Sequence, residues 1–150
     1  MTQVVDVRAL RPDDRDAWQP LWMGYLSFYK ATLAPEVTEA TWRRFFDPLE
    51  GLGAVVAERD RQLIGFAHYL LHRSTWAPTC YCYLEDLYVE ASARGGGAGR
   101  ALIAGVEQVA RQAGANRLYW VTDESNHTAQ QLYDQVAERA GVVQYRKPLE

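Results

Sequence analysis

The chain has 150 residues, of which 48% are hydrophobic and 23% are charged, and its net charge is −3. This length predicts a single domain over residues 1–150, and the small negative charge argues against nonspecific nucleic-acid binding, which needs a basic surface. No apolar run approaches the roughly 20 residues of a membrane span, and residues 1–8 lack signal-peptide character, so we expect a cytoplasmic protein with no nucleic-acid and no membrane partner.

The first half of the chain predicts a strand, two helices and a hairpin. Alternating residues predict a strand over 4–10, and Pro12 marks the start of a helix. Pro20 inside that helix predicts a kink or a later start. Thr38 is expected to cap a short helix over 38–46. Strands over 54–59 and 62–73 flank a tight turn at Asp60–Arg61, which predicts an antiparallel hairpin.

The second half predicts alternating strands and helices. Strands are expected over 80–89, 117–122 and 142–146, and helices over 99–112 and 126–139. Gly114 has the position of a residue that ends a helix. The strand–helix–strand order after residue 80 predicts one parallel pair, while the hairpins make the other pairs antiparallel. We therefore predict a mixed α/β sheet flanked by about four helices.

The stretch Arg94–Arg100, Arg-Gly-Gly-Gly-Ala-Gly-Arg, lies between a predicted strand and a predicted helix. A glycine turn at a helix N-terminus exposes backbone N–H groups that bind phosphate oxygens. Its spacing fits neither a Walker A loop nor a dinucleotide fingerprint, because Arg100 and Ala101 follow Gly99 and no G-x-G-x-x-G is completed. It resembles the Arg/Gln-x-x-Gly-x-Gly/Ala pyrophosphate signature of the GNAT superfamily of N-acetyltransferases.

A second block carries the same resemblance. Asn126, Ala129, Leu132 and Tyr133 match the Asn-x-x-Ala-x-x-Leu-Tyr pattern with which the GNAT core ends. The resemblance implies the GNAT fold, in which two parallel strands splay apart, and acetyl-CoA as the acyl donor. It implies that coenzyme A contacts Leu87, Tyr88, Val89, Arg94, Gly95, Gly96, Gly97, Ala98, Gly99, Arg100, Asn126, Ala129 and Tyr133. A backbone N–H among the first three of these would polarise the thioester carbonyl.

Two residues are expected to be catalytic. Tyr133 is the tyrosine that the family places to protonate the leaving thiolate, although it could serve only as a packing wall. Glu85 lies in a Leu-Glu-Asp triplet that resembles the spermidine/spermine acetyltransferase branch, where the glutamate is the proposed base. Glu85 could instead bind a cationic substrate without taking a proton, and Asp86 is the reserve candidate. Strict strand alternation puts these two carboxylates on opposite faces unless a bulge intervenes.

The amine site is the least readable part of the sequence. In this fold the first two helices and the loop between the middle strands usually line it, so we name Tyr25, Tyr29 and Trp76 as pocket candidates beside Glu85. Aromatic faces suit an ammonium group or an alkyl chain, whereas the alternative is that these rings only fill the core. The three histidines have no sequence partner that marks a catalytic triad or a metal site, and we expect no metal.

The two cysteines, Cys80 and Cys82, are expected to be buried small residues. Neither is at the thioester position, which favours direct transfer in a ternary complex. We expect an N-acetyltransferase acting on a polyamine, a diamine or a lysine-like amine. The alternatives are a protein lysine or N-terminal acetyltransferase and a non-enzymatic acyl-CoA-binding regulatory module. Relatives are commonly dimers, so we expect a homodimer, with the last strand available to pair across a two-fold axis.

Overall fold

A computed structural model describes residues 4–150. Met1, Thr2 and Gln3, which belong to the segment judged for signal-peptide character, lie outside the described residues. Its strands and helices, in chain order, are β1 (Asp6–Ala9), α1 (Arg15–Phe28), α2 (Pro35–Arg44), β2 (Leu52–Arg59), β3 (Gln62–His72), β4 (Cys80–Val89), α3 (Ala98–Gln112), β5 (Ala115–Tyr119) and α4 (His127–Val136). Short 3-10 turns, Pro12–Asp14 and Ala91–Ala93, precede α1 and α3. Within residues 4–150, no helix is long and apolar enough to cross a membrane.

The five strands form one sheet in sequence order, β1-β2-β3-β4-β5. The first three pairings are antiparallel and the last is parallel, which confirms the predicted mixed sheet. Asp60 and Arg61 both have positive φ (52° and 63°), as a two-residue hairpin turn requires, and Arg59 pairs with Gln62 across it. The sheet therefore turns back tightly between β2 and β3 where the sequence predicted.

Helices cover both faces of the sheet. On one face α3 buries Leu102 and Val106 against β2, β3 and β4, and residues of α4 pack at the margin of the same cluster. On the other face α1 buries Trp18 and Trp22 over Val56 and Phe66 of the central strands. Along β2 the apolar side chains divide between the two clusters by alternation, with Val55 and Ala57 on the α3 side and Ala54 and Val56 on the α1 side.

Two helix starts differ from the prediction. Thr38 is not a cap: α2 begins three residues earlier, with Ala34 as its N-cap and Pro35 in its first position, where the missing N–H of proline is harmless. Thr38 is instead buried, and its Oγ1 accepts a hydrogen bond from Trp22 Nε1 at 3.1 Å. Pro20 does not delay α1, which begins at Arg15 and contains the proline.

The expected last strand over 142–146 is wrong for the isolated chain. Residues 137–150 are exposed throughout, and no ladder among the described residues includes any of them. Val142 is 81% exposed and Val143 is 78% exposed. The segment has the composition of a strand, but a strand exists only where a neighbour supplies hydrogen bonds. The ends of β5 and α4 also fall short of their predicted limits, at Tyr119 and Val136.

Candidate functional site

Strands β4 and β5 separate halfway along β4. Their ladder consists of Cys80 with Ala115, Cys82 with Leu118 and Tyr83 with Tyr119, and it ends there. Within residues 4–150, the rest of β4, residues 84–89, pairs with β3 on its other side except at Glu85, and with no strand at this edge. The stretch Leu87–Val89 therefore has a free edge facing the gap. A free strand edge pairs with an extended chain that carries amide groups, as the pantetheine arm does.

The glycine turn lies at the mouth of this gap, where α3 begins. Gly95 and Gly97 have φ of 86° and 88°, a conformation that favours glycine, and a Cβ added at either position would meet nothing within 4 Å. Gly97 is the N-cap of α3, and no side chain of residues 4–150 caps this helix. The N–H groups of residues 98–100 thus remain available, and with the helix dipole they form a site for an anion.

The two arginines beside the turn are already engaged. Arg94 donates from Nε to the backbone oxygen of Val89 at 2.8 Å, and its guanidinium lies 5.6 Å from the ring centre of Tyr88. Arg100 donates to the side chain of Gln135 on α4. Arg94 therefore ties the turn to the end of β4, and Arg100 ties α3 to α4. Both keep positive charge beside the anion site.

A β-bulge decides which way the carboxylates of β4 point. His68 pairs with Asp86 and Tyr69 pairs with Leu84, so Glu85 is an extra residue without a partner on β3. Leu84 and Leu87 consequently pack in the same α3-side cluster although they are three residues apart. Strict alternation, which separated the two carboxylates, does not hold here. The β-bulge, which the sequence analysis named as the one condition that would break alternation, is therefore present at Glu85.

The charges of Glu85 and Asp86 both act on Tyr25 of α1. Burial, followed by the charge of Asp86 and a smaller effect of Glu85, raises the pKa of Tyr25. Glu85 is exposed, yet the atoms packed around its carboxyl and then the charge of Asp86 raise its pKa. A carboxyl whose pKa is raised toward neutrality is a stronger base.

Three tyrosines interact between the end of α1 and α4. The rings of Tyr25 in α1 and of Tyr29, which follows that helix, lie 4.9 Å apart, and Tyr133 of α4 packs 5.5 Å from Trp120. Burial, and after it Tyr29, raises the pKa of Tyr133. Burial and then Asp86 raise the pKa of Tyr29. These phenols are therefore protonated at neutral pH, so each is a proton donor.

Trp76 and Asn126 have surroundings that the sequence did not indicate. Trp76 is 84% exposed on the loop between β3 and β4, and none of the ring contacts within residues 4–150 includes it. The structure does not bring it together with Tyr25 and Tyr29. Asn126 is the N-cap of α4, because its Oδ1 accepts the N–H of Ala129 at 3.2 Å. It thereby fixes the start of the helix that carries Tyr133.

The sequence missed a polar chain beneath this site. His68 is 4% exposed, receives a hydrogen bond from Trp18 Nε1 at 3.1 Å and lies 2.9 Å from Asp86 Oδ2. These residues are 50 and 18 positions apart, so no local spacing could reveal them. Among the described residues no group of His, Cys, Asp and Glu side chains could hold a metal ion.

Comparisons with known proteins agree with this geometry. A family model described as "Acetyltransferase (GNAT) family" matches residues 9–137. The D-amino-acid N-acetyltransferase HPA3 of Saccharomyces cerevisiae is 43% identical over 143 residues, covering 94% of this chain and 89% of that protein. The uncharacterised N-acetyltransferase YhfO of Bacillus subtilis is 29% identical over 94% of this chain and 95% of its own.

Solved structures share the fold. A ribosomal-protein-alanine N-acetyltransferase from Brucella melitensis biovar Abortus 2308 superposes with a TM-score of 0.79 at 22% identity, covering 97% of this chain and 100% of that one. The aminoglycoside N-acetyltransferase AAC(6')-Iy in complex with CoA gives a TM-score of 0.81 at 20% identity, with coverage of 98% and 97%. At these identities the likeness concerns the fold alone.

Proposed function

The chain belongs to the GNAT family of acetyltransferases and is an acetyl-CoA-dependent N-acetyltransferase, and from this premise we propose that it acetylates a small primary amine by direct transfer in a ternary complex. The observation that carries the proposal is the gap between β4 and β5. The uncapped N-terminus of α3 follows β4 closely in the chain, the free edge of β4 runs along the gap, and Asp86 of β4 interacts electrostatically with Tyr25 of α1.

The chain's own groups suit the two ends of acetyl-CoA. The anion site before α3 suits the pyrophosphate, and the open space in front of Gly95 and Gly97 leaves room for it. The backbone of Leu87, Tyr88 and Val89 suits the pantetheine amides, because this edge of β4 has no strand partner beyond Tyr83. Asn126 and Ala129 begin the helix that leads from this gap to Tyr133.

The proton transfers divide between two residues. The acceptor arrives as an ammonium, since an alkylamine has a pKa of about 10.4, and Glu85 takes its proton directly or through a water. The amine nitrogen then bonds to the acetyl carbon and releases its second proton to solvent, the carbon–sulfur bond breaks, and Tyr133 donates its proton to the sulfur. The products are an amide, the free thiol of CoA and one proton. Solvent restores the proton of Tyr133.

The cysteines support direct transfer over an acetyl-cysteine intermediate. Burial raises the pKa of Cys82 to about 11, so its thiol stays protonated and weakly nucleophilic at neutral pH. Cys80 lies at the start of β4, with its sulfur 3.8 Å from the backbone oxygen of Ala113. The β4 gap begins only after Tyr83. A nucleophile at either cysteine would be on the wrong part of the strand.

The acceptor class has one leading candidate and one second candidate. Two neighbouring carboxylates and the aromatic faces of Tyr25 and Tyr29 favour a cationic amine of the polyamine, diamine or lysine-like kind. The identity of 43% to a D-amino-acid N-acetyltransferase favours the α-amine of a D-amino acid instead.

Release of free CoA from acetyl-CoA over a panel of amines tests the proposal. The panel holds spermidine, putrescine, lysine and thialysine for the first class, and D-phenylalanine with its L-enantiomer for the second. A histone-tail peptide tests the rival acceptor, a protein lysine. We expect release that depends on a small amine. Turnover of the peptide alone would indicate a protein acetyltransferase, and CoA binding without turnover of any amine would indicate a regulatory module.

We also propose that the protein is a cytoplasmic homodimer. The free edge of β5 borders a groove of about 380 Å³ between α3 and α4, which is lined by Ile103, Ala110, Leu118, Trp120 and Val136 among others. The strand-like segment 142–146 of a second copy suits this edge, because it exposes Val142, Val143 and Tyr145 and has no ladder partner in its own chain.

Light scattering after size exclusion tests the dimer. We expect the unmodified chain to be a dimer and Val143→Asp to be a monomer, because burying the new carboxylate at the interface costs free energy that valine does not. Leu149→Asp is the matched control, since Leu149 is 91% exposed and lies beyond the strand-like segment. A monomeric unmodified chain, or a dimer that tolerates Val143→Asp as well as the control, would contradict the exchange of segment 142–146.

A further inference from the structure

A buried hydrogen-bonded chain connects α1 to the carboxylates of β4. It runs from the indole of Trp18 through the imidazole of His68 to Asp86, over distances of 3.1 Å and 2.9 Å. Trp18 is fully buried and His68 is 4% exposed, enclosed by aromatic rings of which Phe66, stacked at 4.3 Å, is the nearest. Neither Trp18 nor His68 has a part in the two proton transfers.

The donors and acceptors in this hydrogen-bonded series can be arranged in only one way. An indole N–H can only donate, so Nε2 of His68 must be the unprotonated nitrogen that accepts it. The ring proton is therefore on Nδ1, and it is donated to Oδ2 of Asp86. Burial lowers the pKa of His68, while Asp86 opposes this, so the neutral ring is favoured. A neutral donor orients the carboxylate without cancelling its charge.

Asp86 is the solvent-accessible end of this hydrogen-bonded chain. Its side chain is 14% exposed, whereas that of His68 is 5% exposed, so solvent reaches the aspartate and not the imidazole. Its charge contributes to the raised pKa of both Tyr25 and Tyr29, after the effect of burial. An ammonium group in the gap would thus meet one carboxylate held by His68 and two aromatic faces.

We propose that Asp86 binds the ammonium group of the acceptor and that His68, held by Trp18, is a positioning residue that aims the Asp86 carboxylate. This inference rests on the proposed function. The two neighbouring carboxylates then have different roles, binding of the cation and acceptance of its proton. Asp86 has one oxygen committed to His68 and attracts the cation. Glu85, unpaired on the bulge, remains to take the proton.

Two substitutions of His68 separate positioning from packing. The amide nitrogen of asparagine lies near the position of Nδ1, so His68→Asn keeps the donor to Asp86. The amide oxygen of glutamine lies near the position of Nε2, so His68→Gln keeps the acceptor for Trp18 and loses that donor. Both variants remove the imidazole ring and its packing contacts, so we expect both to lower the melting temperature. Only a positioning role predicts different kinetics.

Steady-state kinetics on an amine that the unmodified protein acetylates provides the test. We expect Asp86→Asn to raise the KM for the amine about 10- to 100-fold, the loss of one charged hydrogen bond, with the KM for acetyl-CoA unchanged. His68→Gln should raise the amine KM about tenfold, and His68→Asn by less than about threefold. Equal amine KM values in the two His68 variants, or an unchanged KM in Asp86→Asn, would overturn the inference.

Nitrogen-15 NMR of the imidazoles gives a readout that needs neither turnover nor a variant. We expect His68 to show a protonated Nδ1 and a bare Nε2 at neutral pH, and the opposite tautomer or an imidazolium would overturn the chain. The two proposals fail differently. Absence of turnover with every amine defeats the proposed function and this inference together, whereas turnover with an unresponsive amine KM defeats this inference alone.

Discussion

Replacing Gly97 with alanine tests the anion site without removing any functional side chain. Gly97 has a φ of 88°, and a non-glycine residue in this region costs about 1 to 2 kcal/mol. An added Cβ would meet no atom within 4 Å, so no clash adds to this cost. For a domain of this size each 1 kcal/mol lowers the melting temperature by about 2 to 4 °C. We expect a loss of about 2 to 8 °C in total.

The same Cβ would project into the space where the pyrophosphate should bind. Loss of one charge-assisted hydrogen bond is worth about 1.5 to 3 kcal/mol, so the KM for acetyl-CoA should rise about 10- to 100-fold. Gly114→Ala is the matched control. Gly114 follows the other end of α3, also has positive φ (79°), and its added Cβ would be 3.7 Å from Thr79, an ordinary contact. It should lose similar stability and keep its KM.

A thermal-shift assay with CoA completes this experiment. Ligand at 100 times its dissociation constant stabilises a protein by about 2.7 kcal/mol, which corresponds to about 5 to 10 °C here. The unmodified protein and Gly114→Ala should show this shift, and Gly97→Ala should show about half of it or less at the same CoA concentration. Equal KM values and equal shifts in the two variants would refute the assignment of the anion site. So would an unchanged melting temperature of the unmodified protein at saturating acetyl-CoA.

Four further outcomes are expected. Tyr133→Phe should lower kcat about 100-fold or more at unchanged KM values, because only the hydroxyl that protonates the thiolate is lost. In the unmodified enzyme kcat/KM should fall as the pH drops through the raised pKa of Glu85, and a pH–rate profile of Glu85→Gln should lack this limb. Asp14, whose pKa is lowered chiefly by its hydrogen bond to an arginine, contributes stability above its unfolded pKa that is lost as the pH falls below about 4. Urea titrations of Asp14→Asn should show less loss over that range. Because burial raises the pKa of Cys82 to about 11, a maleimide at pH 8 should label native Cys80 first, and mass spectrometry of Cys80→Ser should find labelling only after denaturation.

Local patterns in the sequence determined the elements and the cofactor class. The turn at Asp60–Arg61, the limits of β4 and the end of α3 at Gly114 depend on neighbours in the chain, and each is as predicted. The glycine spacing after Arg94 and the pattern that ends at Tyr133 identified the family, because both motifs are contiguous. Helix starts were less secure: a threonine that resembles a cap is buried in α2, since Pro35 begins that helix.

Only the tertiary structure decided how the site is assembled. The bulge at Glu85 arises from the register between β3 and β4, which strand alternation within one segment cannot specify. The contact of His68 with Trp18 and Asp86 depends on α1 packing over the middle of the sheet. Segment 142–146 has a strand pattern, but pairing needs a neighbour, and its own chain provides none in the described part. Propensity and motif are properties of adjacent residues, whereas register, orientation and pairing exist only between distant ones.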